Sequence, residues 1–220
     1  LTMTADQTLL VATCGQGILK TTDKGATWTR LPIFQDIEYD DIVRTLDIHP
    51  TEPATIFAGF QHGVAKSTNA GQTWHRLPSF LDNYAVWKIV IDPKNPKNIY
   101  VGTGAPTRAI AARSTDGGRT FERLPLSFPE RCAGVSKPRL LAMAVDPDKP
   151  DSIWAGVEEG GLYHSENKGE KLAFCLTKRK DGNPNKLIES NTLMFVALHE
   201  LSHIATVSVG HTPEYWNTFK

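Results

Sequence analysis

The chain is organised by a repeat. Leu46-Asp47-Ile48-His49-Pro50 followed by Ile56-Phe57-Ala58-Gly59 returns as Val90-Ile91-Asp92-Pro93 with Ile99-Tyr100-Val101-Gly102. It returns again as Ala144-Val145-Asp146-Pro147 with Ile153-Trp154-Ala155-Gly156, and in every copy the proline precedes the isoleucine by six positions. Downstream of the glycine stands a second block, Ser67-Thr68-Asn69-Ala70-Gly71-Gln72-Thr73-Trp74 and Ser114-Thr115-Asp116-Gly117-Gly118-Arg119-Thr120-Phe121. An earlier copy, Thr21-Thr22-Asp23-Lys24-Gly25-Ala26-Thr27-Trp28, follows Leu9-Leu10-Val11-Ala12. The blocks start at 21, 67, 114 and, in decayed form, 165, which are steps of 46, 47 and 51 residues. Short apolar runs and turn residues at such a period predict propeller blades of several short strands each.

The second block reads as a tight strand-turn-strand hairpin. Its Ser/Thr and Asp/Asn side chains bond turn amides, its glycine takes a positive φ, and its aromatic folds beneath as a plug whose burial stabilises a blade by roughly 2–3 kcal/mol. On these residues the chain resembles the Asp-box (BNR) repeat of β-propellers, over about residues 1–168. Sialidases, sortilin-type receptors and assembly-factor propellers of photosynthetic membranes carry such boxes. The resemblance implies a scaffold of about three and a half repeats, which do not close a ring by themselves. It does not bring sialidase chemistry with it. The arginine triad, Tyr/Glu pair and acid Asp of those enzymes have no counterpart pattern, Arg139 after Pro138 reads as a solvated loop residue, and Asp92 and Asp146 read as turn formers.

Composition narrows the partners. The 24 Lys and Arg balance 24 Asp and Glu across 220 residues, without the basic excess that a phosphate backbone demands, so no nucleic acid is expected. The longest apolar runs, such as Leu193 to Leu198, are far short of the ~20 residues that span a bilayer, and no signal-peptide pattern opens the chain, so a soluble protein of unassigned compartment is expected. Cys14, Cys132 and Cys175 lack CxxC spacing and read as small buried apolar residues. His49, His62, His75 and His164 show no ligand spacing.

The last quarter reads differently. The fourth box begins as Ser165-Glu166-Asn167-Lys168-Gly169 but carries Lys171 and Leu172 where Thr and Trp belong, so the repeat stops there, as though two unrelated pieces were joined. Met194, Ala197, Leu198, Leu201, Ile204 and Ala205 recur at helical steps, and within that helix stands His199-Glu200-Leu201-Ser202-His203. Histidines four apart on a helix reach one metal, while the intervening glutamate faces its water. Gly210 ends the helix and His211 follows before Thr212-Pro213-Glu214, a cap and first turn for another helix. This segment resembles SprT-like and WLM-type zinc metallopeptidases and predicted peptidases of large DNA viruses. The resemblance implies His199, His203 and His211 as ligands of Zn²⁺ and Glu200 as general base.

The expected architecture is therefore mainly β, with Asp-box blades over 1–168 and a small α+β zincin-like segment over 169–220. The leading expectation is zinc-dependent hydrolysis of a protein or peptide substrate, with the blades positioning substrate or a protein partner. Two alternatives accompany it: a non-catalytic propeller scaffold for interaction or assembly, and a sialidase-like glycoside hydrolase.

Overall fold

The structure is a computed structural model and describes residues 2–3, 8–31, 42–126, 128, 130, 136–146, 148–149, 152–158 and 161–165. The chain divides into two units, Leu1–Ala173 and Phe174–Lys220, and all described residues belong to the first. Four antiparallel sheets follow one another in sequence order. The first holds β1 (Thr2–Met3), β2 (Leu9–Ala12), β3 (Ile18–Thr21) and β4 (Thr29–Leu31). The second holds β5 (Val43–Ile48), β6 (Ile56–Phe60), β7 (Val64–Ser67) and β8 (His75–Arg76). The third holds β9 (Ala85–Ile91), β10 (Ile99–Gly104), β11 (Ala111–Ser114) and β12 (Glu122–Arg123), and the fourth β13 (Leu140–Val145), β14 (Ile153–Val157) and β15 (Gly161–Ser165). Each sheet is a meander of sequential neighbours, as a blade requires. The mainly-β expectation holds for the described residues, whose one helical element is a 3-10 turn at Phe80–Asn83 capped by Ser79. The α+β zincin-like segment expected over 169–220 finds no support in any described element, because all of its residues lie outside them.

The repeated apolar runs form the second strand of each blade, and their alternation decides which neighbour each residue meets. On β6, Ile56, Ala58 and Phe60 pack with Leu10, Ile18 and Leu31 of the first blade. Phe57, between them in sequence, packs with Ile89, Ile99 and Val101 of the third. On β10, Tyr100 turns to the fourth blade, where it meets Leu140, Met143 and Ile153. The hydrophobic core is thus three layers, each shared by two consecutive blades, and a strand buried on both faces reads as a continuous apolar run.

The boxes fold as the sequence predicts. In the first, Thr21 Oγ1 accepts the Gly25 amide at 3.0 Å, while Asp23 accepts the Thr27 amide at 2.9 Å and the Thr27 hydroxyl at 2.6 Å. Ser114 with Asp116 repeats this pattern, and Ser67 with Asn69 keeps its amide bonds while Asn69 Nδ2 donates to the Thr73 hydroxyl at 2.8 Å. Each turn needs two successive left-handed residues: Lys24 and Gly25, Ala70 and Gly71, Gly117 and Gly118. The fourth copy starts in register, with Ser165 opposite Ile153 as Ser114 is opposite Ile99.

One expectation about the boxes is corrected. Trp74 is buried, but Trp28 is 44% exposed. A plug packs in a layer to which the preceding blade contributes: Trp74 in the layer containing Leu31, and Phe121 in the layer containing Phe57. Among the described residues no blade precedes the first to cover Trp28.

Candidate functional site

The first strand of the second, third and fourth blades carries the same irregularity. The register slips between Val43 and Thr45 on β5, across Trp87 between Val86 and Lys88 on β9, and between Leu140 and Ala142 on β13. The bulged residues are Arg44, Trp87 and Leu141, and the strand resumes opposite a glycine each time: Gly59, Gly102 and Gly156. Bulges turn a side chain out of the pleat and recur beside functional sites. Here they present one side chain per blade at one end of strands that pack side by side, β5 on β9 and β9 on β13.

The presented residues form a cluster around Trp87. The Arg44 guanidinium carbon lies 4.7 Å from the Trp87 ring centroid, and that of Arg139, just before β13, lies 4.8 Å from the same ring. Cation–π contact of this kind orients both guanidiniums. The indole itself is held by its N–H, which donates to the Ala105 carbonyl at 2.7 Å. Arg44 donates from Nη2 to Gln61, and Arg139 from Nη1 to Glu158 at 2.6 Å. Gln61 and Glu158 follow β6 and β14 directly and so occupy matching places in their blades. Burial depresses the Arg44 pKa, and the positive charge of Arg139 adds to that effect, while Cys14 opposes it. Arg44 Nε and Nη1, Arg139 Nε and Glu158 Oε2 are enclosed without a hydrogen-bond partner. Such groups are costly and invite an incoming donor or acceptor.

A cleft opens at the segment that leads into Arg139. It has a volume of about 430 Å³ and is lined by Arg108, Phe128, Glu130, Lys137 and Pro138 among others. The Lys137 ammonium donates to the Pro106 carbonyl at 2.6 Å, which ties the β10–β11 connection to the segment leading into Arg139.

The residues singled out by sequence fare unequally. His199, Glu200, His203 and His211, proposed as ligands and base, lie outside the described residues, so the Zn²⁺ expectation is not tested on geometry. Cys132 and Cys175 lie outside them as well. Cys14 is exposed rather than buried, because it stands beyond the end of β2 at an isolated bridge to Ile42. Asp92 and Asp146 are turn formers as expected, each accepting two amides of the following turn. His49 fills the same place in its repeat, its Nδ1 accepting the Glu52 amide at 3.1 Å. His164 stacks on Trp154 at 4.0 Å and bonds Ser152 at 2.8 Å. Arg139 is corrected from solvated loop residue to partner of Trp87 and Glu158. Arg44, Trp87 and Leu141 escaped the sequence reading. They share a place six residues before each repeat proline, but Thr45, Lys88 and Ala142 beside them, and Asp47, Val90 and Ala144 further on, vary as widely, so variation alone does not mark them.

No protein-family model matches the chain. It is 28% identical over 85 residues to a probable oligoxyloglucan-reducing end-specific xyloglucanase of Neosartorya fischeri, covering 37% of this chain and 10% of the relative. It is 33% identical over 64 residues to the uncharacterized protein 136R of Invertebrate iridescent virus 6, covering 29% of this chain and 35% of that protein. Among solved structures it resembles an ancestral GH74 enzyme, with TM-score 0.66, 18% identity, and 81% of this chain matched to 23% of that one. It also resembles the Niastella koreensis GH74 enzyme, with TM-score 0.59, 16% identity, and 76% of this chain matched to 27% of that one. The chain therefore spans about a third or less of the relatives it matches.

These likenesses establish a β-propeller fold shared with glycoside hydrolases. They correct the description of the chain as a zinc metallopeptidase in favour of a glycoside-hydrolase-like β-propeller: the two solved structures named above are GH74 enzymes and the first relative is a probable xyloglucanase. Among the described residues no helix is long and apolar enough to cross a membrane.

Proposed function

We propose that the chain is a glycoside-hydrolase-like propeller segment that binds a saccharide on the bulged ends of its first strands, with Trp87 as the platform. The observation that carries this reading is the alignment of three bulges, which places Arg44, Trp87 and Leu141 at one end of adjacent strands. The half-buried indole, held by its own N–H, fixes the two guanidiniums that cover it, and these, with Gln61 and Glu158, supply groups for a sugar's hydroxyls while the indole edge meets the ring's apolar side. The similarity to xyloglucanases supports a polysaccharide as the class of ligand.

Binding, not cleavage, is the activity assigned to this segment. Glycoside hydrolysis needs two carboxyl groups facing each other across the scissile bond, roughly 5–10 Å apart. Among the described residues of the cluster, Glu158 is the one carboxylate, and it is paired with Arg139.

Titration calorimetry of the chain with a xyloglucan oligosaccharide tests the reading. Saturable binding is expected, weakened about tenfold or more by Trp87→Ala, since loss of one aromatic platform costs on the order of 1 kcal/mol or more. Absence of binding at about 1 mM saccharide, or an unchanged affinity in Trp87→Ala, would defeat it.

A further inference from the structure

The face that carries the site is far more basic than the chain as a whole. Acidic and basic residues balance over the sequence. Around Trp87 and the adjoining cleft, however, stand Arg44, Arg108, Arg123, Lys137 and Arg139. Arg123 borders a second hollow of about 310 Å³ that shares Arg108, Ala109 and Phe128 with the first. Two carboxylates answer them among the described residues, and both are engaged: Glu130 with Arg108 at 2.7 Å and Glu158 with Arg139 at 2.6 Å.

Arg44 is the group left over. Its one hydrogen bond in the cluster goes to the neutral amide of Gln61, and its Nε and Nη1 are enclosed without an acceptor. Arg139 Nε is in the same condition. Two like charges on one indole, both partly withdrawn from water, raise each other's energy, and an anionic oxygen at their accessible N–H groups relieves this and gains charge-assisted hydrogen bonds. The cations along the cleft extend the same field beyond a single group.

We infer that the saccharide bound here is acidic, a uronic-acid type of chain whose carboxylate is taken by Arg44 and Arg139 at the rim of the Trp87 cluster, and whose further acidic units follow the cleft past Lys137 and Arg108. This inference rests on the saccharide reading above and specifies its substrate class.

Calorimetry on the whole chain separates the two claims. A trimer of galacturonic acid and a neutral gluco-trisaccharide are titrated at about 50 and 500 mM NaCl, a range over which exposed charges are progressively screened. The acidic trimer is expected to bind about tenfold or more tighter at low salt, and most of that advantage disappears at high salt. Arg44→Gln brings the two trimers to within about twofold, because it lowers the acidic affinity more than the neutral one. Lys137→Gln, at an exposed position, lowers only the acidic affinity. Equal or better binding of the neutral trimer, or an acidic affinity indifferent to salt, overturns the inference and leaves the saccharide reading intact. If neither trimer nor the xyloglucan oligosaccharide binds, both fall. A penta-glutamate peptide that matches the acidic trimer and ignores Trp87→Ala overturns the saccharide class in favour of an acidic peptide. Should circular dichroism show Arg44→Gln unfolded, the salt series and Lys137→Gln decide alone.

Discussion

At the residue scale, the same side-chain chemistry serves different ends according to burial. Asp23 and Asp116 are exposed in their boxes, where hydrogen bonds from Thr27 and Thr120 hold their carboxyls well below the usual carboxylate range. Asn69 replaces them in the second box without changing the turn, so the position asks for an acceptor and not for a charge. Asp47 is the opposite case. It leaves β5 to accept the Ile91 amide of the next blade at 2.7 Å, and burial there pushes its pKa above the ordinary value, against the pull of that bond. A folded-state pKa raised in this way favours the folded state most while the carboxyl is protonated, below its unfolded pKa of about 4, and the benefit is lost as pH rises through the folded value. Asp47→Asn removes that titration. The melting temperature of wild type minus that of the variant is therefore expected to be more positive near pH 3.5 than at pH 7; a difference independent of pH would show that Asp47 does not titrate in this way. The acceptor role of the box aspartates could be read from sequence, because it acts within five residues. That of Asp47 could not, because its partner is 44 residues away.

At the scale of elements, the hairpin plug links local and tertiary structure. Box residues Thr21, Ser67 and Ser114 make nearly identical turns, yet the aromatics that follow differ in burial according to what the preceding blade supplies. Trp74 donates its indole N–H to Gly71 at 3.0 Å and packs in the layer containing Leu31. Trp74→Ala is expected to cost about 3–5 kcal/mol, the range for a buried aromatic, while Trp28→Ala costs about 1 kcal/mol or less in this chain. Denaturant titrations of the two variants check the contrast; equal losses would mean that the plug acts within its own blade. The bulges belong to this scale too. A periodic apolar strand pattern announces a strand but not the single inserted residue that turns Arg44 or Trp87 outward, since one extra residue in six or seven barely changes the pattern.

At the scale of the molecule, stability resides between blades. Gly102 shows how close they come: a Cβ there would stand 2.5 Å from Leu140 Cδ2 of the next blade, and at Gly59 the corresponding atom would stand 2.5 Å from Val86 Cγ1. Gly102→Ala therefore forces the third and fourth blades apart and is expected to destabilise by about 1–3 kcal/mol. Its effect falls on the shared layer of Tyr100, Leu140 and Met143. Hydrogen exchange is expected to accelerate on β13 and β14 before β5 and β6; uniform acceleration would indicate that the four blades unfold as one unit.

The sequence by itself determined the blade period, the box turns, the apolar second strands and the mainly-β character, because each rests on residues within one repeat and on backbone rules that act locally. Tertiary structure alone decided which face of each strand meets which neighbour, that Trp28 is left uncovered, and that Arg44, Trp87 and Arg139 converge. Those depend on register slips and on distances between residues some forty to ninety positions apart, where closing the intervening chain costs entropy that only cooperative packing of whole sheets repays.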